Sequence, residues 1–360
     1  MTKSNEKALW FKELSNNKPL LMAGPCSAET PQQVLDIANE LKGTATVYRA
    51  GIWKPRTRPG GFEGVGAIGL KWLQQVKQET GMLLATEVAT AEHVQLALEH
   101  DIDILWIGAR TTVNPFAVQE IADALKGTDK VVFVKNPVNP DISLWIGGFE
   151  RLQNAGIEKL GFIHRGFSTY EKIKYRNMPE WQIPIDLQMR FPNVPIINDP
   201  SHITGNRDLV AQIAQKALDL NFDGLMIETH TTPDLAWSDA AQQVTPTQLK
   251  NIVQELKLRR ATSQEDAFVR QLQMYRSQID DIDSKLLKLL KQRMLIADEI
   301  GLLKKAKNIS VLQPERWMEV LLKMKQEGKE NQLGEAFITS LFKAIHDESI
   351  SRQDYIINRK

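Results

Sequence analysis

The sequence predicts a closed (β/α)8, or TIM, barrel followed by an all-α domain of three helices that dimerises. Three observations carry this. From Pro19 to about Arg260, short apolar runs alternate with stretches of helical period. Eight such units in about 240 residues match one closed parallel barrel, whereas an open doubly wound sheet usually has fewer strands and a different glycine-rich first turn. After Arg260 the strand pattern stops and only helical patterns follow.

The apolar runs, in order, are Leu20–Ala23, Thr46–Arg49, Leu83–Glu87, Ile104–Ile107, Val131–Lys135, Leu160–His164, Val194–Asn198 and Leu225–Glu228. Between them lie helical stretches at Pro31–Leu41, Gly66–Thr80, Ala91–His100, Pro115–Leu125, Ser143–Asn154, Arg207–Leu220 and Pro246–Arg259. Tyr170–Met189 has no clear period. Trp10 and Phe11 precede the first run and either pack on the barrel or stay loose. A polar linker at 261–269 separates the barrel, 1–260, from the helical domain, 270–360. There Gln271–Lys307 reads as one long helix, with Ile279, Ile282, Leu286, Leu289 and Ile296 at spacings of three, four or seven. Glu315–Glu327, opened by Pro314, and Leu333–Ile356 are the second and third helices. A first helix ~50 Å long at ~1.5 Å per residue cannot be covered by its own domain, so a homodimer through this domain is expected, with higher assembly left open.

Bulk properties exclude several classes. Apolar content of 42% and charged content of 25% are ordinary for a soluble protein. A net charge of +1 argues against a nucleic-acid surface. No run reaches the length of a membrane span, and Met1-Thr2-Lys3-Ser4-Asn5-Glu6 lacks the apolar stretch of a signal peptide. The single cysteine, Cys26, rules out an internal disulfide framework, so the expected compartment is the cytoplasm.

Working residues of such a barrel sit at the C-terminal ends of its strands. Here those ends carry Cys26, Arg49 with Lys54 and Arg56, Glu87, Arg110, Lys135, Arg165, His202 and Glu228 in chain order. Six cations (Arg49, Lys54, Arg56, Arg110, Lys135 and Arg165) around one mouth would repel one another unless highly charged ligands neutralised them. Arginine forks match phosphate and carboxylate oxygens, so two small phosphorylated substrates are expected. Solvated loop charge remains the plainer reading for any single member. Cys26 alone would more often be a small buried apolar residue. With His202, Glu228 and Asp239 it forms a mixed soft and hard donor set suited to Mn, Fe, Co or Zn rather than Mg or Ca. The expected role of the ion is as a Lewis acid on a carbonyl oxygen. A Schiff-base aldolase using Lys54 or Lys135 as nucleophile is the rival, but it leaves the four ligands without a task.

Gly24-Pro25-Cys26-Ser27, Arg49…Lys54-Pro55-Arg56-Thr57, Gly108-Ala109-Arg110, Asp199-Pro200-Ser201-His202 and Ser238-Asp239 resemble the 3-deoxy-D-arabino-heptulosonate-7-phosphate (DAHP) synthases of the compact microbial type. The resemblance covers about residues 17 to 260. It implies condensation of phosphoenolpyruvate with erythrose 4-phosphate and water, the entry to the shikimate pathway of aromatic amino acid synthesis. It also implies a divalent metal, manganese before iron, cobalt or zinc, on Cys26, His202, Glu228 and Asp239. By motif position, Arg49, Lys54, Arg110, Lys135 and Arg165 would hold phosphoenolpyruvate, and Arg56 with Thr57 would hold erythrose 4-phosphate. Lys135 and Glu87 are the candidates for managing the water proton. The sister octulosonate-phosphate synthases share Gly24-Pro25-Cys26 but carry Lys-Ala-Asn-Arg-Ser where this chain has Lys54-Pro55-Arg56-Thr57, which favours the four-carbon sugar.

In the helical domain Arg293, Ala297, Ile300 and Lys304 share one helix face. Arg276 is ~25 Å along the axis from Arg293, so both can serve one small dicarboxylate only if Arg276 serves a partner's site. With Arg316 and Gln353, this pattern resembles the all-helical chorismate mutases over about residues 270 to 357. The resemblance implies that Arg276, Arg293 and Arg316 bind the carboxylates of chorismate, that Lys304 and Gln353 stabilise the ether oxygen, and that Ser349 lies nearby. No cofactor is expected for that unimolecular step. Many family members carry Asp three residues before that third arginine and Glu directly after it, where this chain has Gln313 and Trp317, so a weaker or rearranged mutase is expected. The alternative is a non-catalytic dimerisation or effector module. The fusion also suggests that chorismate or prephenate bound by the helical domain inhibits the barrel.

Overall fold

The computed structural model describes residues 7–55, 60–170, 174–259 and 265–359. Contacts divide the chain into two compact units, Met1–Ala261 and Thr262–Lys360. In the first, eight parallel strands close in chain order into a barrel: β1 Leu20–Gly24, β2 Val47–Arg49, β3 Leu83–Val88, β4 Ile104–Ile107, β5 Val131–Lys135, β6 Leu160–His164, β7 Ile196–Asn198 and β8 Gly224–Glu228. β8 pairs back onto β1 over five residues, Leu20 opposite Gly224 to Gly24 opposite Glu228. Every expected strand is present within two residues at each end. β7 starts after Pro195 because proline has no N–H for the ladder, although the Pro195 carbonyl still accepts from Phe162.

Alternation along the strands sorts side chains into two cores. Leu20, Met22, Val47, Ala85, Trp106, Phe133, Ile163 and Met226 fill the barrel interior. Leu21, Ala23, Tyr48, Leu84, Leu105 and Val134 face the surrounding helices. The helices start where side chains satisfy free N–H groups: Thr30 before Pro31–Leu41, Asn114 before Pro115–Leu125, Asp141 before Ile142–Asn154 and a Thr245–Gln248 capping box before Pro246–Glu255. Arg207–Leu220 divides into a 3-10 turn, Arg207–Leu209, and a helix, Val210–Asp219. Within the irregular stretch lies a helix at Gln182–Arg190, which tolerates Pro184 because it sits in the first turn. A short helix, Leu9–Ser15, puts Phe11 into the interior core, with Trp10 edge-on to Phe133, so both aromatics pack on the barrel.

The second unit has helices Asp266–Lys307, Pro314–Glu330 and Glu335–Asn358. The first begins inside the stretch read as linker and runs for 42 residues. Ile279, Ile282, Leu286 and Leu289 stay 51–60% exposed along it. Among the described residues, no helix is long and apolar enough to cross a membrane.

Candidate functional site

The C-terminal strand ends gather the chemistry of the barrel. Gly24, at φ +147°, lets β1 lie against β2: a Cβ there would fall 2.1 Å from the Arg49 carbonyl oxygen. This close approach delivers Cys26 to the barrel mouth. Sγ of Cys26 and one oxygen each of Glu228 and Asp239 lie within 4.8 Å of one another. His202 stands beside them, with Nε2 3.8 Å from Glu228 Oε1. Its Nδ1 is 2.8 Å from Asp199 Oδ2, off the direction of an aligned hydrogen bond. Thiol, carboxylate and imidazole donors so grouped fit a borderline divalent ion. Desolvation, with Glu228 next, pushes the Cys26 thiol up to about 12 against the lowering effect of Lys54, and a divalent charge among these donors would reverse that balance. Burial opposes ionisation of Glu228 and Asp239, yet His202 holds both below the usual carboxylate range, aided by Arg49 for Glu228 and Arg176 for Asp239.

The described cations differ in burial and in the partners that hold them. Arg49 is buried, donating to the Pro25 carbonyl (2.8 Å) and Glu228 Oε1 (3.3 Å), with its guanidinium 4.9 Å from the Trp106 ring centroid. Lys135 Nζ binds Asp199 Oδ2 at 2.8 Å and lies 5.6 Å from the same ring. Arg165 donates to Asn177 and the Gly166 carbonyl, and burial lowers its pKa to about 10. Lys54 Nζ reaches Cys26 Sγ at 3.0 Å. Arg110 is exposed on a single turn, Ala109–Thr112. Arg56 and Thr57 lie outside the described residues. Substrates alone were expected to neutralise the cations. Buried Asp199 and Glu228 do part of that work, because a buried charge without a partner is costly.

Glu87 accepts from Trp106 Nε1 at 2.8 Å and needs glycine at 108, where a Cβ would meet Glu87 Oε1 at 2.3 Å. Sequence reasoning missed Trp106, Asp199 as counter-ion, Gln242 and Arg176. Asp199 lay inside a quoted motif, and its place directly after β7 was a usable signal. Arg176 lies within the stretch without period and gave none.

His164 ends β6 with no direct contact to the ligand group. It is buried and neutral, Nε2 donating to the Pro179 carbonyl and Nδ1 accepting from Asn198, and burial pushes it down to about 3. The unfolded chain therefore binds a proton that the fold refuses between pH 6.5 and about 3. Its contribution to stability is complete above pH 6.5 and falls with pH. At about 1.4 kcal/mol per unit this removes about 2 kcal/mol by pH 5. Urea midpoints from pH 7.5 to 5 should decline in the native protein and decline less in His164→Gln.

In the helical unit one cavity of about 270 Å3 is lined by Arg293, Lys304, Arg316, Ser349 and Gln353, together with Gln313 and Trp317. Lys304 donates to Gln353 Oε1 (3.0 Å) and the Val311 carbonyl, and Arg293 donates to Ser349 Oγ. Burial lowers the pKa of both cations. Trp317 stacks on His346 with centroids 4.1 Å apart. Arg276 does not line this cavity and is exposed on the long helix.

A model of the DAHP synthetase I family matches residues 12–263. The chain belongs to that family. A chorismate mutase type II model matches residues 275–354, so a synthase-family domain is fused to a mutase-type domain. The phospho-2-dehydro-3-deoxyheptonate aldolase of Thermotoga maritima is 31% identical over 68% of this chain and 71% of its own. A 2-dehydro-3-deoxyphosphooctonate aldolase of Syntrophotalea carbinolica is 27% identical over 67% and 90%. The crystal structure of the Thermotoga DAHP synthase superimposes with a TM-score of 0.61 at 31% identity, covering 67% of this chain and 68% of that one. Its truncated form gives 0.58 at 28% identity, covering 67% and 86%. The family assignment makes this a bifunctional enzyme, an aldolase-type transferase joined to a chorismate-mutase-type isomerase.

Proposed function

We propose that the barrel condenses phosphoenolpyruvate with erythrose 4-phosphate and water, giving DAHP and phosphate. The observation that carries this is the convergence of Arg49, Lys135 and Arg165, all buried, on the strand ends that also bear Cys26, Glu228 and Asp239. Cys26, Glu228 and Asp239, with His202 as fourth ligand, would hold a divalent ion, which would supply Lewis-acid polarisation of the aldehyde carbonyl. Arg49, Lys54, Arg110, Lys135 and Arg165 hold the phosphate and carboxylate of phosphoenolpyruvate above Trp106. Arg56 and Thr57 hold the sugar phosphate. C3 of phosphoenolpyruvate attacks the aldehyde carbon, water adds at C2, and phosphate leaves the resulting hemiketal. Glu87 takes the proton of the adding water, and Lys135, an ammonium beside Asp199, gives one to the oxygen of the attacked aldehyde. Phosphate release with erythrose 4-phosphate against arabinose 5-phosphate tests the reading, and a preference for the pentose phosphate would overturn it.

The helical domain, in the same proposal, rearranges chorismate to prephenate. Arg293, Arg316 and Arg276 of the partner subunit bind the carboxylates, and Lys304 with Gln353 faces the ether oxygen. The exposed Ile279, Ile282, Leu286 and Leu289 row supports a second copy as its cover, since leaving an apolar row in water costs free energy that burial recovers. Light scattering should give a dimer, and Ile282→Asp with Leu286→Asp should give monomer with lost mutase activity. We also propose that prephenate in the helical cavity lowers the synthase rate. A synthase rate that stays constant across a prephenate titration would exclude this.

A further inference from the structure

We propose that Arg176 and Gln242 form an outer brace that orients Asp239 and Glu228 and thereby sets the affinity of the centre for its ion. The inference rests on the reading of Cys26, Glu228 and Asp239 as a metal site. Each of the two carboxylates is divided between an outward and an inward oxygen. Asp239 Oδ1 accepts from Arg176 at 2.9 Å, while Oδ2 lies 3.4 Å from Cys26 Sγ. Glu228 Oε2 accepts from the Gln242 amide at 2.6 Å, while Oε1 faces Arg49 at 3.3 Å and His202 Nε2 at 3.8 Å.

One guanidinium ties these halves together. Arg176 donates to Gln242 Oε1 at 2.8 Å as well as to Asp239. That bond settles which way the Gln242 amide faces: its oxygen takes the arginine, so its NH2 is turned to Glu228. Gln242 is 1% exposed, and a side-chain amide so buried would be costly without both bonds. The backbone prepares the same geometry. Asp239 takes φ +49°, and the 3-10 turn Ala240–Gln242 returns Gln242 to its side, with Gln242 N–H on the Asp239 carbonyl. Arg176 is fixed from the other direction by its own N–H on the Thr204 carbonyl. It also passes against Gly205, where an added Cβ would lie 2.6 Å from Arg176 Cβ.

A solvated arginine–aspartate pair would contribute little and would leave the donor atoms indifferent. An orienting brace predicts a loss of affinity, because partners behind ligating groups commonly govern metal binding by 10–100-fold (order of magnitude, ~10 to ~100). The test is Co2+ titration of the full-length, metal-stripped protein, read as a dissociation constant and as thiolate-to-cobalt absorption. Arg176→Gln and Gln242→Leu should each weaken Co2+ by ~10-fold or more and shift the absorption, and Arg176→Lys should recover part of the loss. Arg176 is half exposed, so Arg176→Gln leaves the cores intact and a fold defect cannot mimic the result. Affinities within twofold (~2) of the native protein with an unchanged spectrum would overturn the brace while leaving the metal site standing. A native protein that gains no thiolate-to-cobalt absorption would overturn the metal site, and the brace with it.

Discussion

Cys26→Ala is expected to abolish condensation at micromolar Mn2+ while leaving a folded barrel. Cys26 is wholly buried, and its Sγ lies within reach of Glu228, Asp239 and Lys54. Alanine removes the soft donor of the set and leaves carboxylates with an imidazole, a harder and weaker site for a borderline ion. Lewis-acid polarisation is worth several kcal/mol, or ~10^3-fold in rate. The side-chain loss itself is one sulfur atom from a polar mouth, so thermal unfolding should move by only a few degrees, on the order of 1 kcal/mol. Phosphate release should be measured after chelation and again after Mn2+ is restored. Restoration should recover the native rate and leave the variant ~10^3-fold slower. Full native activity in the chelated state would defeat the metal reading, and full activity of the variant would remove Cys26 from it.

Much of this site was legible because a closed parallel barrel places function by topology. Its strands are buried on both faces, so they read as continuous apolar runs, and each run points to the next polar residue. Cys26, Arg49, Glu87, Lys135, His202 and Glu228 were assigned to the strand ends in that way, and the structure puts them there. What escaped came from loops and from the interior floor. Trp106 sits mid-strand among Leu105 and Ile107, and nothing local separates an aromatic under two cations from ordinary core. Arg176 and Gln242 act only because loops after β6 and β8 meet, a long-range fact with no period to announce it. Counter-ions were also hidden: the sequence displays a ring of cations, while the buried partners of Arg49 and Lys135 become visible only in space. In the helical unit the face bearing Arg293 and Lys304 was readable from 3.6-residue spacing. The residues facing it across the cavity depend on how Glu335–Asn358 packs back on the long helix.

Lys304→Ala should separate catalysis from assembly in the helical domain. A unimolecular rearrangement takes nothing from the protein except restriction of the substrate and charge placed where the breaking bond develops it. Lys304 is half-buried, held by Gln353 Oε1 and the Val311 carbonyl, and lines the cavity together with Arg293 and Ser349. Burial lowers its pKa, a desolvation cost that an anionic ligand in the cavity would offset. Removing a donor of this kind costs ~10^2–10^3-fold in kcat. The apolar row Ile279, Ile282, Leu286 and Leu289 is left untouched by this change, so light scattering should report the same assembly as the native protein. Prephenate formation should fall ~10^2-fold or more. Arg293→Ala should instead raise KM as well as lower kcat, because a carboxylate held in the ground state is lost with it. If Lys304→Ala forms prephenate at the native catalysed rate, Lys304 is not part of the mutase machinery. If the native protein forms prephenate no faster than free solution does, the helical unit is an effector or dimerisation module, and inhibition of the synthase by prephenate decides between those two.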